Sequence, residues 1–123
     1  MRLGYAIVFV SDMPRSVAFY RDVLELPLRF ESPEWTEFAT DGATLALHAA
    51  PTSASAPAAP ASTTAGRCQP GLTVPDLDGF HRRMIEHHVP CIRPPTDEFG
   101  VRLAQYSDPD GLTLSLSEAR RPG

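Results

Sequence analysis

The stretch Val10-Ser11-Asp12-Met13-Pro14-Arg15-Ser16-Val17-Ala18-Phe19-Tyr20-Arg21-Asp22-Val23-Leu24 changes its periodicity within a few residues of its start. Just before it, residues 3–10 (LGYAIVFV) have the β-branched and aromatic composition of a strand. Ser11-Asp12 then supply a helix cap, and Pro14 falls in the first turn, where its missing N–H costs nothing. Met13, Val17, Tyr20 and Leu24 follow at helical spacing and form one apolar stripe. Downstream, residues 28–32 and 35–39 read as a hairpin around Pro33-Glu34, Asp41-Gly42 is a turn, and TLALH at 44–48 alternates as a strand. The order is β-α-β-β-β.

From residue 49 to 67 the composition shifts to Ala, Pro, Ser and Thr, which cannot bury a core and reads as a flexible linker or surface loop. The first pattern then restarts. QPGLTV at 69–74 is a strand, Asp76 caps a helix with Leu77, Phe80, Met84 and His88 on one stripe, and residues 91–93, 101–106 and 112–117 are strands. The last two are joined by Asp108-Pro109-Asp110-Gly111. Val10, Asp12, Met13, Tyr20 and Leu24 each stand 64 positions before Val74, Asp76, Leu77, Met84 and His88. Leu45 and Leu47 match Leu114 and Leu116 when counted from Gly42 and Gly111. The chain is an internal duplication. It is expected to form one domain over residues 1–123, with module one at 1–48, the linker at 49–67 and module two at 68–119.

With 123 residues and 42% apolar content, the chain has the make-up of one globular domain. A formal charge of −4 and a pI near 5.5 argue against nucleic acid, whose phosphates require a basic face. No apolar run approaches the ~18 residues of a membrane span, and no secretory signal opens the chain, so a soluble cytoplasmic protein is expected. Cys68 and Cys91 form neither a disulfide framework nor a zinc signature and read as reduced structural thiols.

Alternation along strands sorts the side chains by face. Ala6, Val8 and Val10, with Leu45 and Leu47, form one apolar set, expected beneath the first helix. Leu72 and Val74, with Leu112, Leu114 and Leu116, are the counterpart beneath the second. The opposite faces mix Tyr5, Ile7, Phe9 and His48 in one half with Gln69, Thr73, Ser115 and Ser117 in the other. That mixture suits a cavity with a few polar groups; the competing account is a merely solvated face. Trp35, Phe38 and Tyr106 lie on middle strands and either stack on a planar ligand or belong to the core. Glu34, Glu37 and Glu118 show no pairing that identifies an acid–base couple. No Ser-His-Asp order, phosphate loop or dinucleotide fingerprint is present.

The string from Val10 to Leu24, with Asp108-Pro109-Asp110-Gly111 before the last strand, resembles the vicinal-oxygen-chelate superfamily of glyoxalases, bleomycin-resistance proteins and extradiol dioxygenases. The resemblance covers nearly all of the chain outside the linker. It implies an α+β fold of two βαβββ modules forming a cupped, barrel-like mixed sheet with helices outside, and a homodimer. Metal-using members carry ligands at positions occupied here by Tyr5, Ala46, Gln69 and Ser115. Alanine cannot ligate, neutral serine ligates poorly, and tyrosine must first lose a proton with a pKa near ~10. Only Gln69 is a plausible ligand, so no metal ligand is assigned, and a divalent iron, manganese, nickel or zinc stays open only at a non-standard site.

Two functions follow from the resemblance. One is a small-molecule-binding protein that sequesters an aromatic metabolite or antibiotic. Its ligand-binding residues would be Tyr5, Phe9, Trp35, Phe38, His48, Gln69, Tyr106, Ser115 and Ser117. The alternative is a lyase or oxygenase with His48 as catalytic base, or with His48 anchoring a non-standard divalent iron, manganese, nickel or zinc beside Gln69 and Tyr5. An imidazole titrates near neutrality, as such a base requires. A rim histidine held only by a hydrogen bond is the third account of His48. His81, His87 and His88 lie on or beside the second helix, away from the cavity face.

Overall fold

The computed structural model describes residues 1, 3–50, 68–98 and 100–119. The chain divides into two compact units, Met1–Ala59 and Pro60–Gly123. The expected linker thus lies outside the described residues from 51 to 67, and Ala49 closes the last strand of the first unit.

The first unit runs β1 (Tyr5–Val10), α1 (Met13–Ala18), a π-helical turn (Phe19–Val23), β2 (Leu28–Phe30), β3 (Trp35–Phe38) and β4 (Thr44–Ala49). Its sheet has the order β1-β4-β3-β2, with β1 parallel to β4 and the other pairs antiparallel. The second unit runs β5 (Gly71–Val74), α2 (Leu77–Glu86), β6 (Cys91–Glu98), β7 (Val101–Ser107) and β8 (Thr113–Glu118), with sheet order β5-β8-β7-β6. Here β5 is parallel to β8. The two units share one βαβββ topology, and the fold is α+β. Strand β6 is longer than expected, extending beyond Arg93 to Glu98 and pairing with β7 along its length.

The duplication extends to backbone angles. Asp12 caps α1 at φ −138°, ψ 97°, and Asp76 caps α2 at φ −137°, ψ 96°. Each carboxylate accepts a hydrogen bond from the backbone N–H three residues on, at Arg15 (3.2 Å) and Gly79 (3.1 Å). The helix ends differ by one residue. Leu24 N donates to Phe19 O, five residues back, whereas His87 N donates to Arg83 O, four back. A π-turn absorbs one extra residue within a helix, so the offset falls from 64 to 63 across it. The partner of Leu24 is therefore His87, which corrects the pairing with His88. His88 instead matches Glu25: both adopt left-handed backbone, at φ 57° and 62°. His88 is exposed beyond the end of α2 and does not belong to its apolar stripe.

Each sheet buries one face beneath its own helix. In the first unit Val8, Val10, Leu45, Leu47 and Phe38 lie within a core closed by Val17 and Tyr20, with the Tyr20 and Phe38 rings 6.0 Å apart. In the second, Ala104, Tyr106, Leu114 and Leu116 lie with Leu77, Phe80 and Met84, and the Phe80 and Tyr106 rings meet at 5.6 Å. The helix aromatic has moved one turn between copies: Tyr20 and Ser16 correspond to Met84 and Phe80. Large and small side chains exchange places, which keeps a core filled. Ser16 is fully buried, and its hydroxyl has no hydrogen-bond partner among the described residues.

The Asp108-Pro109-Asp110-Gly111 turn forms as expected. Asp108 Oδ1 accepts from Asp110 N (2.9 Å) and Leu112 N (2.8 Å), and Gly111 takes φ 84°, a conformation in which a Cβ is strained. The cysteines differ from expectation. Both are free, but both are exposed rather than packed as small hydrophobes.

Candidate functional site

The face of the first sheet turned away from α1 carries a connected set of rings. Register places Tyr5, Ile7 and Phe9 beside Thr44, Ala46 and His48, with Trp35 and Glu37 beyond them on β3. Trp35 meets Tyr5 edge-on at 6.5 Å and His48 at 5.9 Å, and His48 meets Phe9 at 5.4 Å. Tyr5 and Phe9 remain 58% and 61% exposed, yet Ala46 at the centre of this face is fully buried. A methyl side chain between larger neighbours is covered by them, so Ala46 is the floor of the cluster.

Polar contacts fix the edges of this set. Glu37 Oε2 accepts the Trp35 indole N–H at 2.8 Å, and Glu37 Oε1 accepts from Arg29 Nη2 at 3.1 Å and Nε at 3.3 Å. Arg29 Nη2 also donates to Thr44 Oγ1. The hydrogen bond from Trp35, and then that from Arg29, hold the Glu37 carboxyl below the ordinary carboxylate range. His48 Nδ1 lies 2.7 Å from Ala49 O. A carbonyl only accepts, so Nδ1 carries the proton in this contact, and Nε2 takes no part in it.

The predicted residues thus separate into groups. Tyr5, Phe9, Trp35 and His48 come together on one exposed face. Phe38 and Tyr106, expected among the ligand-binding residues, lie instead buried in the cores beneath the helices, at 0% and 1% exposure. The alternation of β3 puts Phe38 opposite to Trp35, while Tyr106 packs on Phe80 and receives or donates a hydrogen bond with His81 Nδ1 at 2.8 Å. In the second unit Ser115 and Ser117 occupy the face turned from α2, where Ser117 Oγ lies 3.2 Å from Thr73 Oγ1. Gln69 precedes β5 and is half-buried.

Alternation places Ile7 on this face, Glu37 reads from the sequence only as an unpaired carboxylate, and Arg29 is not singled out there. The W-x-E alternation of β3 carries a signal for Glu37, since it shares a face with Trp35. Arg29 had none, because a bulge brings it there: Leu28 pairs with Phe38, but Phe30 pairs with Glu37, leaving Arg29 as the extra residue.

The side chains at the four family metal positions do not fit a divalent ion. Ala46 has no donor atom, and the Tyr5 ring meets Trp35 edge-on. Ser115 and Gln69 contribute only neutral oxygens. Among the described residues no group of three or more His, Cys, Asp or Glu is placed to hold a metal ion. Among the same residues no helix is long and apolar enough to cross a membrane.

Two units of βαβββ topology in one α+β chain define a fold class, and sequence comparison supplies its superfamily. A model of the Glyoxalase/Bleomycin resistance protein/Dioxygenase superfamily matches residues 2–116, and the chain belongs to that superfamily. A protein of unknown function from Agrobacterium tumefaciens str. C58 is similar at 27% identity and TM-score 0.76, covering 98% of this chain and 95% of its own. A glyoxalase/dioxygenase from Nostoc punctiforme superposes at TM-score 0.82 with 20% identity, covering 98% and 92%. TioX from Micromonospora sp. ML1 does so at 0.76 with 17% identity, covering 96% and 98%. No curated protein matches the chain.

Proposed function

We propose that this protein binds a flat aromatic small molecule on the open face of its first sheet and sequesters it, as a metabolite- or antibiotic-binding member of its superfamily. The observation that supports this is the Tyr5–Trp35–His48–Phe9 cluster, in which two rings are more than half exposed although each costs free energy in water. A planar ligand gains about 1 kcal/mol per well-made ring contact beyond the area it buries. Ser115, Ser117 and Gln69 are proposed as polar ligand contacts within the second unit. A homodimeric assembly, implied by the resemblance, and a cytoplasmic location, expected from the sequence, belong to the same proposal.

Trp35 is the chain's single tryptophan, and its emission reports on this face directly. Titration with planar aromatic compounds is expected to give saturable quenching, weakened roughly tenfold by Phe9→Ala. If no such compound saturates the signal at millimolar concentration, the proposal is wrong.

A second reading has one observation in its favour. The Nδ1–H of His48 is committed to Ala49 O, so Nε2 of this exposed side chain is the atom that would serve as a general base in a lyase or oxygenase. Turnover that is lost on His48→Gln while ligand binding persists would establish it over sequestration.

A further inference from the structure

Both units carry the same bulge in the strand that follows the helix. Leu28 and Phe30 oppose Phe38 and Glu37, as Cys91 and Arg93 oppose Tyr106 and Gln105. The extra residue is Arg29 in the first unit and Ile92 in the second. A bulge re-aims the residue it releases from the ladder, and in the first unit that residue is a cation at the border of the aromatic face.

Its hydrogen bonds hold it in one orientation. Nε and Nη2 are engaged by Glu37 Oε1, and Nη2 also by Thr44 Oγ1, whereas Nη1 has no hydrogen bond among the described residues. The side chain is 50% exposed. Thr44 is the cross-strand partner of Tyr5, and Glu37 holds the indole of Trp35, so the guanidinium borders the two rings that meet at 6.5 Å. The carboxylate is a poor competitor for a ligand cation, because its oxygens already accept from Trp35 and twice from Arg29.

We propose that Arg29 is the specificity determinant of this face and selects planar ligands that carry an anionic oxygen group, aromatic carboxylates being the class that fits. The proposal rests on the binding function assigned to this face above. A guanidinium anchored along one edge has already lost much of its rotamer freedom, so an incoming oxygen meets a fixed donor. The hydrogen bond it makes is charge-assisted and directional. The matching charge of Glu37 limits long-range attraction, so selection depends on this short contact.

Calorimetric titration of the full chain with 2-naphthoate and 2-naphthylmethanol separates ring from charge. The naphthoate is expected to bind roughly tenfold more tightly. Arg29→Gln abolishes that preference, so that naphthoate and naphthylmethanol bind alike, and measurable binding of both reports that the face is intact. Arg29→Lys restores only part of it, since an ammonium cannot be anchored along one edge by Glu37 and Thr44 and still present a fixed donor. Equal affinities in the unaltered protein, or a preference that survives Arg29→Gln, overturn the role of Arg29 and leave the aromatic site standing. Failure of both probes to bind overturns the site and this inference together.

Discussion

The indole N–H of Trp35 donates to Glu37 Oε2 at 2.8 Å, joining two residues that share a face of β3. Glu37 therefore sets the tilt of the ring at the centre of the aromatic cluster. Glu37→Ala is expected to lower the fluorescence anisotropy of Trp35 and weaken aromatic ligands several-fold, while Glu37→Gln, which keeps an acceptor, retains most of both. The carboxyl is held below its ordinary range, so the contact is present above the unfolded carboxylate value near ~4.3 and lost as pH falls through the lower folded value. An acid titration of Trp35 emission with its midpoint at or above ~4.3 would contradict the pairing.

The twin caps allow a test of the duplication. Asp12→Ala and Asp76→Ala each remove a side-chain acceptor from a helix N-terminus, at a cost of about 1 kcal/mol apiece. Chemical denaturation is expected to return similar losses for the two. A loss at one site only would mean that the matched backbone angles do not carry matched energetics.

Tyr106 gives the second unit an alkaline limit. Burial first, and then the nearby Cys91 and Asp78, push its phenol up to about 12. A group raised above its unfolded value, about 10 for tyrosine, contributes its stability in full below that pH. The contribution is lost as pH rises toward the folded value. Stability should therefore fall between roughly pH 10 and 12 more steeply in the unaltered protein than in Tyr106→Phe. Parallel pH profiles in denaturant unfolding would argue against a buried phenol.

Two exposed free thiols should react with a disulfide reagent in the native state. Burial pushes the Cys91 thiol up, which lowers its thiolate fraction near pH 8 and slows it relative to an unstructured thiol. Release of fewer than two equivalents without denaturant would show that one thiol is covered.

Much of the fold was legible in the sequence because its signals are local. The switch from a β-branched run to a capped helical stripe, repeated 64 positions on, fixes β1-α1 and β5-α2. Strand alternation likewise sorted Val8, Val10, Leu45 and Leu47 from Tyr5, Phe9 and His48. The exchange of Tyr20 and Ser16 for Met84 and Phe80 left that apolar pattern intact, so the repeat remained visible despite the repacking.

What tertiary structure decided depends on residues that break a regular period. The π-turn at Phe19–Val23 shifts the offset of the copies by one, and nothing in the apolar stripe announces it. The bulge beside Arg29 turns a residue of β2 toward Glu37 and Thr44. Phe38 and Tyr106 could not be assigned to core or open face until the registers of β3 and β7 were fixed, since a one-residue slip moves every side chain to the other side. Sequence alone determined the repeated module and the aromatic character of its first open face. Only pairing between distant strands decided which groups border that face, because hydrogen-bond register and local irregularity, rather than residue type, set where Arg29 and Glu37 meet Trp35.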